Sequence, residues 1–378
     1  MTKYLVRRTL SGLVALVLFT AGMFLLVEAL IPGDYATPSR LSLSGPELEV
    51  LRTQLGLDRP IYIRYLFWLR NVVTHGLGST TSGWVGPGEL MRAIPATALV
   101  FMVGIGVAYL FGSWLGRIAG WRRGAKGRAL TFLAVTTYTI FPPFLGFILI
   151  YFLRNRLVDV RNGLLGSTVD WLGVDRTAVM GRMSVTIVIV TLLVFTVGAL
   201  GARVLGKRRI LPLLGKLVLV VGVCAGWWAY REMLGLAIDV MFLAAVPTIA
   251  FAVLSYGDFL LVMRTSIAAV RHEDYVMAAT AKGLPDRVVR DRHAARNAVL
   301  PVLGRLVVSL PYLLSGLIII EKSVGWAGMG TLLFDAVSAQ DMPVVMDVLL
   351  LIGVFTLVVR MVFEIMQAVL DPRIWRAA

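Results

Sequence analysis

The sequence predicts an all-α protein, a polytopic bundle of about eight membrane-spanning helices. Hydrophobic residues make up 58% of the 378 residues and the mean hydropathy is +0.82, well above the apolar share of a soluble domain. They gather in runs of about 20 residues, the length that a helix needs to cross a bilayer. The 15 prolines and 37 glycines are spread through these runs, as spanning helices tolerate.

The first apolar run, at about 10–31, follows Lys3, Arg7 and Arg8. A signal peptide begins similarly, but its apolar core is shorter and ends at a small-residue cleavage site, so we interpret this run as a retained first span. The remaining candidate spans lie at about 94–116, 130–153, 184–202, 211–230, 240–263, 302–320 and 345–369.

These runs divide the chain into four segments. Residues 1–93 hold the first span and an amphipathic outer region, and 94–153 hold the second and third spans. Residues 154–237 form a polar connection and a further helical pair, and 238–378 hold the remaining spans with a polar segment at about 271–301. In the outer region, a helix starting after Pro60 carries aromatic residues beside arginines, which indicates a lipid-interface helix more simply than a contact for an external partner.

Pro142 and Pro143 interrupt the third span. Each removes a backbone donor, so the helix must kink or break there. Because lipid cannot satisfy the freed carbonyl groups, such a break faces protein or a water-filled cavity. A pore-lining role and a purely structural kink both remain open. Glycines spaced four apart, Gly112–Gly116–Gly120 and Gly222–Gly226, predict positions where helices approach closely.

The basic residues predict the orientation. With eight spans both termini lie on one side, and 24 of the 37 lysines and arginines fall on that side. Cytoplasmic segments carry the positive excess, so we expect the N-terminus, the C-terminus and segment 271–301 to be cytoplasmic. The net charge of +15 then reflects topology and attraction to lipid headgroups, and nucleic acid is not an expected partner.

We find no enzyme site in the sequence. The run Gly201–Arg208 resembles a phosphate-binding loop, but it has arginine in place of the hydroxyl residue and follows an apolar span. The histidines lack metal-site spacing, and Cys224 cannot form an internal disulfide. A self-contained channel or carrier would need ionisable residues within the spans or a pore motif, and we identify neither in the apolar runs.

Segment 271–301 is the long polar stretch in the hydrophobic second half of the chain. Glu273 and Asp274 suit the positive N-terminus of a short helix, Lys282 suits its C-terminus and Gly283 the position after it. Pro285 can begin a second helix, and Pro301 marks the entry to the next span. The small side chains of 278–281 allow close approach, which favours a docking surface over a solvated linker.

This segment resembles the EAA loop of binding-protein-dependent ABC importer permeases, particularly the dipeptide and oligopeptide subfamily. The matching residues are Asp274, Tyr275, Val276, Ala279, Ala281, Lys282, Gly283 and Leu284, then His293, Ala294, Arg296, Asn297, Ala298, Leu300 and Pro301. Supporting motifs are Pro32-Gly33-Asp34, 55–69, Ile94-Pro95-Ala96-Thr97, 341–345 and 370–374. The pair at 184–230 exceeds the family's usual six-span core, and Ala327 replaces a usual proline.

The resemblance implies a multi-pass inner-membrane permease subunit without a catalytic site. Its expected partners are a second, homologous permease, two ATPase domains and an extracytoplasmic substrate-binding protein, and ATP and Mg would be bound by the ATPases. The residues implied in ATPase coupling are Asp274, Tyr275, Ala278, Ala279, Lys282 and Gly283. Peptides are the implied substrate, with oligosaccharides or nickel as alternatives within the family. A channel, a secondary carrier or a membrane enzyme is the alternative outside it.

Overall fold

The computed structural model describes residues 2–30, 44–54, 57–77, 87–121, 124–165, 171, 173–204 and 213–370. All regular secondary structure in these ranges is helical. The helices are α1 (Thr2–Leu30), α2 (Gly45–Gln54), α3 (Ile61–His75), α4 (Pro87–Trp121), α5 (Ala125–Thr139), α6 (Pro142–Leu165), α7 (Arg176–Val204), α8 (Leu213–Tyr230), α9 (Leu234–Leu243), α10 (Ala245–Val270), α11 (Asp274–Ala281), α12 (Asp286–Val288), a π-helix (Val289–Ala294), α13 (Ala295–Val324), α14 (Met329–Ser338) and α15 (Met342–Leu370).

Six of the described helical segments are long and apolar enough to cross a membrane: Arg7–Leu30, Gly88–Trp121, Arg176–Gly198, Ala245–Val270, Asp286–Val324 and Met342–Ile365. The pair α5 and α6 is apolar enough to add a seventh if its two bent helices together form one span. This confirms the predicted all-α polytopic bundle. The remaining predicted span, 211–230, corresponds to α8, whose described apolar part, Gly215–Tyr230, is shorter than the other spans.

One compact unit comprises residues 1–97 and 325–361. Here α3 packs its aromatic side on α1: the ring centroids of Phe24 and Tyr65 are 5.5 Å apart, and the hydroxyls of Thr20 and Tyr65 are 3.0 Å apart. Trp68 is 3% exposed and donates from Nε1 to Asp347 Oδ1 on α15 at 3.2 Å. The predicted amphipathic helix therefore has a specific protein contact on its aromatic face.

The motif Ile94-Pro95-Ala96-Thr97 contacts residues 326–329 in this unit. The indole Nε1 of Trp326 donates to the carbonyl of Ala96 at 3.1 Å, and the backbone N–H of Met329 donates to Thr97 Oγ1 at 2.8 Å. Thr97 is 1% exposed, so its hydroxyl holds the start of α14 against α4. The motifs Pro32-Gly33-Asp34 and 371–374 lie outside the described residues.

The second unit comprises 98–324 and 362–377. In this unit, 98–121 of α4 lies close against α10. A Cβ added at Gly112 would lie 2.5 Å from the carbonyl oxygen of Tyr256, and one at Gly116 would lie 2.6 Å from that of Leu260. Backbones thus meet where these glycines lie, which confirms the predicted close approach at Gly112–Gly116–Gly120. No heavy atom lies within 4 Å of an added Cβ at Gly222 or Gly226, so those positions have no such neighbour among the described residues.

The chain bends by 102° between α5 and α6. Ile140 is extended, and Pro142 and Pro143 occupy the first turn of α6, where their missing N–H groups have no intrahelical partner to lose. The carbonyl of Phe141 accepts from the backbone N–H groups of Phe144 and Leu145, at 3.1 and 3.2 Å. The prolines therefore begin a new helix whose first turn is satisfied. Their lining of a path stays a prediction.

Candidate functional site: the polar segment 271–301

The segment is tied to the rest of its unit at its first residue. Arg271 follows the last residue of α10, and its Nη1 donates to the backbone carbonyl of Trp121 at 2.8 Å. Its guanidinium also lies 5.3 Å from the centroid of the Trp121 ring. Because Trp121 ends α4, the cation satisfies an orphan carbonyl at the negative end of that helix. The ends of α4 and α10 are thus locked together where α11 begins.

Helix α11 has the predicted caps. Asp274 lies in its first turn and Lys282 at its C-cap, each favourable to the helix dipole. Gly283 has φ +72°, and its N–H donates to the carbonyl of Thr280 at 3.0 Å. No heavy atom lies within 4 Å of an added Cβ there. Glycine is therefore favoured here, because any other residue would be strained in this left-handed backbone conformation, although its side chain would not clash.

The exposed and buried faces of α11 separate the predicted coupling residues. Asp274, Tyr275, Ala278, Lys282 and Gly283 are exposed. Val276 is 1% exposed and Ala279 4% exposed, so this pair, three residues apart, packs the helix onto its own chain. Ala279 consequently supports the surface from beneath and does not present itself to a partner. The coupling role of the whole set stays a prediction.

The second half of the segment differs from expectation at Pro301. Pro285 is the N-cap of α12, and helical structure then continues unbroken through the π-helix into α13. Pro301 therefore lies inside α13 instead of at its start. A proline there removes the donor for the carbonyl of Asn297, four residues earlier, and Asn297 is on the exposed side of the helix. The Asn297 carbonyl, which lacks its helical donor, therefore lies where a donor from outside the helix can reach it.

The π-helix Val289–Ala294 is a feature that the sequence did not predict. Both terminal residues, Val289 and Ala294, are fully buried. Between them Arg290 and Asp291 pair through two bonds, Nε to Oδ1 at 2.9 Å and Nη2 to Oδ2 at 2.7 Å. π-Helical turns are rare and often occur at functional sites. Here the turn joins the surface of α11 to the long helix α13.

A charged cluster lies inside the spanning helices of the second unit. Asp258, at the middle of α10, is 8% exposed. Its Oδ2 accepts from Arg305 Nε at 3.1 Å and from Ser309 Oγ at 3.0 Å. The expectation that the spans hold no ionisable residue is therefore wrong. The sequence feature that could have predicted this cluster is a lone aspartate in an apolar run, together with an arginine and a serine spaced four apart on α13.

A second buried carboxylate holds the polar connection 154–182. Asp239 on α9 is 1% exposed; its Oδ1 pairs with Arg161 Nε of α6, and its Oδ2 accepts from Trp171 Nε1 at 2.9 Å. The connection is therefore anchored at two points to one buried side chain. In the described part of the chain, no three His, Cys, Asp or Glu side chains are grouped as they would be around a metal ion.

Comparison with known proteins gives a consistent result. Residues 112–376 match the family described as binding-protein-dependent transport system inner membrane component, and residues 1–83 match the N-terminal region of such membrane components. A protein named as a peptide permease of Brucella ovis is 30% identical over 99% of both chains, and one of Brucella suis biovar 1 is 29% identical over 99% of both. The glutathione transport system permease protein of Escherichia coli K12 is 28% identical over 99% of both. With its multiple apolar helices, the chain is a multi-pass inner-membrane protein and belongs to the family of binding-protein-dependent transport permeases.

Proposed function

We propose that this chain is one of two permease subunits of an ATP-driven importer of di- and oligopeptides. The family match supports a permease that works with a substrate-binding protein. The relatives named for peptide and glutathione transport align over nearly their full length, which supports a peptide-type substrate. The observation that carries the proposal is the exposed, capped helix α11 in the segment that resembles the family's EAA loop.

In the proposed mechanism, an ATPase subunit grips the exposed face of α11. Ala278 leaves space for close approach, Tyr275 and Met277 offer apolar contact at 38% and 53% exposure, and Lys282 offers a positive charge. ATP and Mg are bound by the ATPase partners, and this chain supplies no residue to the hydrolysis. Closure of the two ATPases moves α11 and its counterpart on the second permease.

The anchoring of α11 supports transmission of that movement. Arg271 locks the start of the segment to α4, and the buried Val276 and Ala279 hold α11 from beneath. The π-helix continues directly into α13, so displacement of this surface must displace a spanning helix or strain the backbone. Rigid-body alternation of this kind opens the path to either side of the membrane in turn.

The proposed orientation places both termini and segment 271–301 in the cytoplasm. Its support is the distribution of basic residues: 23 of 37 lie on that side when Arg305, which pairs with Asp258 inside the spanning helices, is left out. This arrangement requires the chain to cross the membrane between α7 and α10, and α8 is the described helix best suited to do so.

Purification and reconstitution test the proposal. The chain, expressed with its genomic neighbours, should copurify with a second permease and an ATPase, and proteoliposomes should take up peptide only with ATP and the binding protein. Uptake driven by an ion gradient without ATP would indicate a secondary carrier, and passive flux would indicate a channel. Uptake of an oligosaccharide or nickel instead of peptide would keep the importer and change its substrate.

A substitution on α11 tests the coupling surface. Ala278→Arg should reduce both uptake and substrate-stimulated ATPase activity at least about tenfold, because a long charged side chain blocks a close, desolvated contact. Ala178→Arg is the matched control, since Ala178 is also exposed on a helix but lies near the start of α7. Equal activity of the two variants would refute the role of α11.

A further inference from the structure

The exposed side of α13 forms a continuous stripe. Pro301, Arg305, Val308, Tyr312 and Ser315 are all exposed and recur at intervals of three or four residues, which places them along one side of the helix. The opposite side is buried and apolar, with Leu306, Leu310, Leu313 and Leu317 each under 5% exposed. Within this chain, the helix therefore packs its leucine side and leaves a mixed polar side open.

This stripe is unsuited to lipid. Asp258, the partner of Arg305, lies twelve residues before the end of α10, roughly 18 Å along the helix axis at 1.5 Å per residue, and thus near its middle. Charged side chains at such a depth face the interior of a bundle or a water-filled cavity. We therefore take the stripe to face the interior of the assembled transporter.

The guanidinium of Arg305 is held on one side only. Its Nε contacts Asp258 Oδ1 at 3.3 Å and Oδ2 at 3.1 Å, and no described residue accepts a hydrogen bond from Nη1 or Nη2. The Arg305 side chain is 45% exposed, whereas that of Asp258 is 11% exposed. The buried Ser309 hydroxyl donates a further hydrogen bond to the Asp258 carboxylate. Asp258 thus holds and neutralises the Arg305 guanidinium from its buried side, while the end that carries Nη1 and Nη2 remains accessible.

A pair of tyrosines lies near the Asp258–Arg305 ion pair. The ring centroids of Tyr138 on α5 and Tyr312 on α13 are 5.9 Å apart, and Tyr138 is within electrostatic range of Asp258 and Arg305. The hydroxyls and ring faces of the two tyrosines add hydrogen-bonding groups and apolar surface beside the cation. A planar guanidinium fork with such neighbours is suited to a carboxylate that carries an organic chain.

We propose that Arg305, positioned by Asp258 and Ser309 with the tyrosine pair Tyr138 and Tyr312 nearby, is a subsite on the translocation path that binds the carboxylate of a passing peptide. The inference rests on the proposed import function and adds a binding residue within the membrane. Asp258 is a positioning residue, since it acts through Arg305. With a peptide carboxylate bound, one cation faces two carboxylates, and this excess of negative charge favours release, as passage requires.

The test uses the complete reconstituted transporter and one peptide in two forms, with a free C-terminal carboxylate and with a C-terminal amide. Because the same binding protein serves every variant, its preference cancels when uptake is divided by the wild-type uptake of the same peptide. Arg305→Gln should lower relative uptake of the free acid by about tenfold, the effect of losing a charge-assisted hydrogen bond, and that of the amide less than about twofold. Arg182→Gln, an exposed arginine of α7, is the control and should leave both unchanged.

The double variant Asp258→Asn/Arg305→Gln separates binding from charge neutralisation, because it leaves no unpaired carboxylate. It should keep the selective loss of free-acid uptake. Recovery to wild-type uptake, an equal loss for both peptides, or no loss in Arg305→Gln would each overturn the subsite. If Arg305→Gln does not assemble, Arg305→Lys keeps the charge beside Asp258, and the same selective loss is expected of it. Absence of ATP-driven uptake of either peptide by the wild-type transporter would refute the import function itself.

Discussion

Single glycines determine how closely α4 approaches α10. At Gly112 and Gly116 an added Cβ would lie 2.5 and 2.6 Å from backbone carbonyl oxygens, which is closer than non-bonded atoms approach each other. The glycine spacing predicted close approach from the sequence alone. It could not tell Gly116 from Gly222, because both belong to pairs spaced four apart and only the partner helix separates them.

This contrast yields a matched pair of substitutions. Gly116→Ala should lower stability by about 1–3 kcal/mol, the usual cost of overpacking, because the backbone of Leu260 cannot yield as a side chain can. Gly222→Ala should be neutral or stabilising by up to about 1 kcal/mol, since alanine is the better helix former and the added methyl group meets no atom. Thermal unfolding of the purified chain in one detergent compares them. A lower midpoint for Gly222→Ala than for Gly116→Ala would contradict the described packing.

At Gly283 the limiting factor is backbone conformation instead of space. Gly283→Ala places a side chain at φ +72°, which should destabilise the turn by roughly 1–2 kcal/mol. Gly163→Ala is the control, because Gly163 also has open space around an added Cβ but no positive φ. We expect faster proteolysis within 281–286 for Gly283→Ala only. Identical cleavage of the two variants would show that the left-handed turn is not needed.

Among the elements, the break before α6 and the caps of α11 were predictable because they are local. Pro142-Pro143 dictates a new helix start, and Lys282-Gly283 dictates a helix end, whatever surrounds them. The π-helix and the two buried carboxylates were not predictable in this way. The partners of Asp239 and Asp258 lie 78 and 47 residues away in the chain, so only the packed structure brings them together.

The anchor of the polar connection gives an element-scale prediction. Arg161→Ala leaves the carboxylate of Asp239 buried without its cation, which should cost about 3–5 kcal/mol. The double variant Arg161→Ala/Asp239→Ala removes the stranded charge and should be more stable than the single one. Limited proteolysis within 154–182, alongside thermal unfolding in detergent, measures both. A double variant as weak as Arg161→Ala, or weaker, would show that the pair does not act as a charge anchor.

For the whole molecule, the fold class and the family could be predicted from hydropathy and from the motif at 274–301. The number of crossings could not be predicted in this way, because the described part of α8 is shorter than the other spans. Hydropathy depends on the length and composition of each helix. The side of the membrane on which a helix end lies depends on the connecting segments at both ends of that helix. The topology therefore needs a direct measurement.

Cysteine labelling provides a direct measurement of the topology. Cys224 is the single cysteine in the sequence, so it is replaced first, as Cys224→Ser. Met277→Cys, in α11, should react with an impermeant maleimide only when the cytoplasmic face is accessible. Glu232→Cys, after α8, should react from the outside, because the proposed orientation needs α8 to cross. Labelling of position 232 from the cytoplasmic side and of position 277 from the outside would show that α8 does not cross, and labelling of both from one side would show that α10 does not; either result would refute the eight-span topology.

The central claim is that the exposed face of α11 is gripped by an ATPase. A photo-crosslinking amino acid at Met277, which is 53% exposed, tests it most directly in membranes holding the whole transporter. The same amino acid at Val158 of α6, 44% exposed and in the polar connection that the proposed orientation places outside, is the control. We predict an adduct with the ATPase subunit from position 277 and none from 158. An actively transporting complex that gives no ATPase adduct at 277, or gives one equally at 158, would contradict the account.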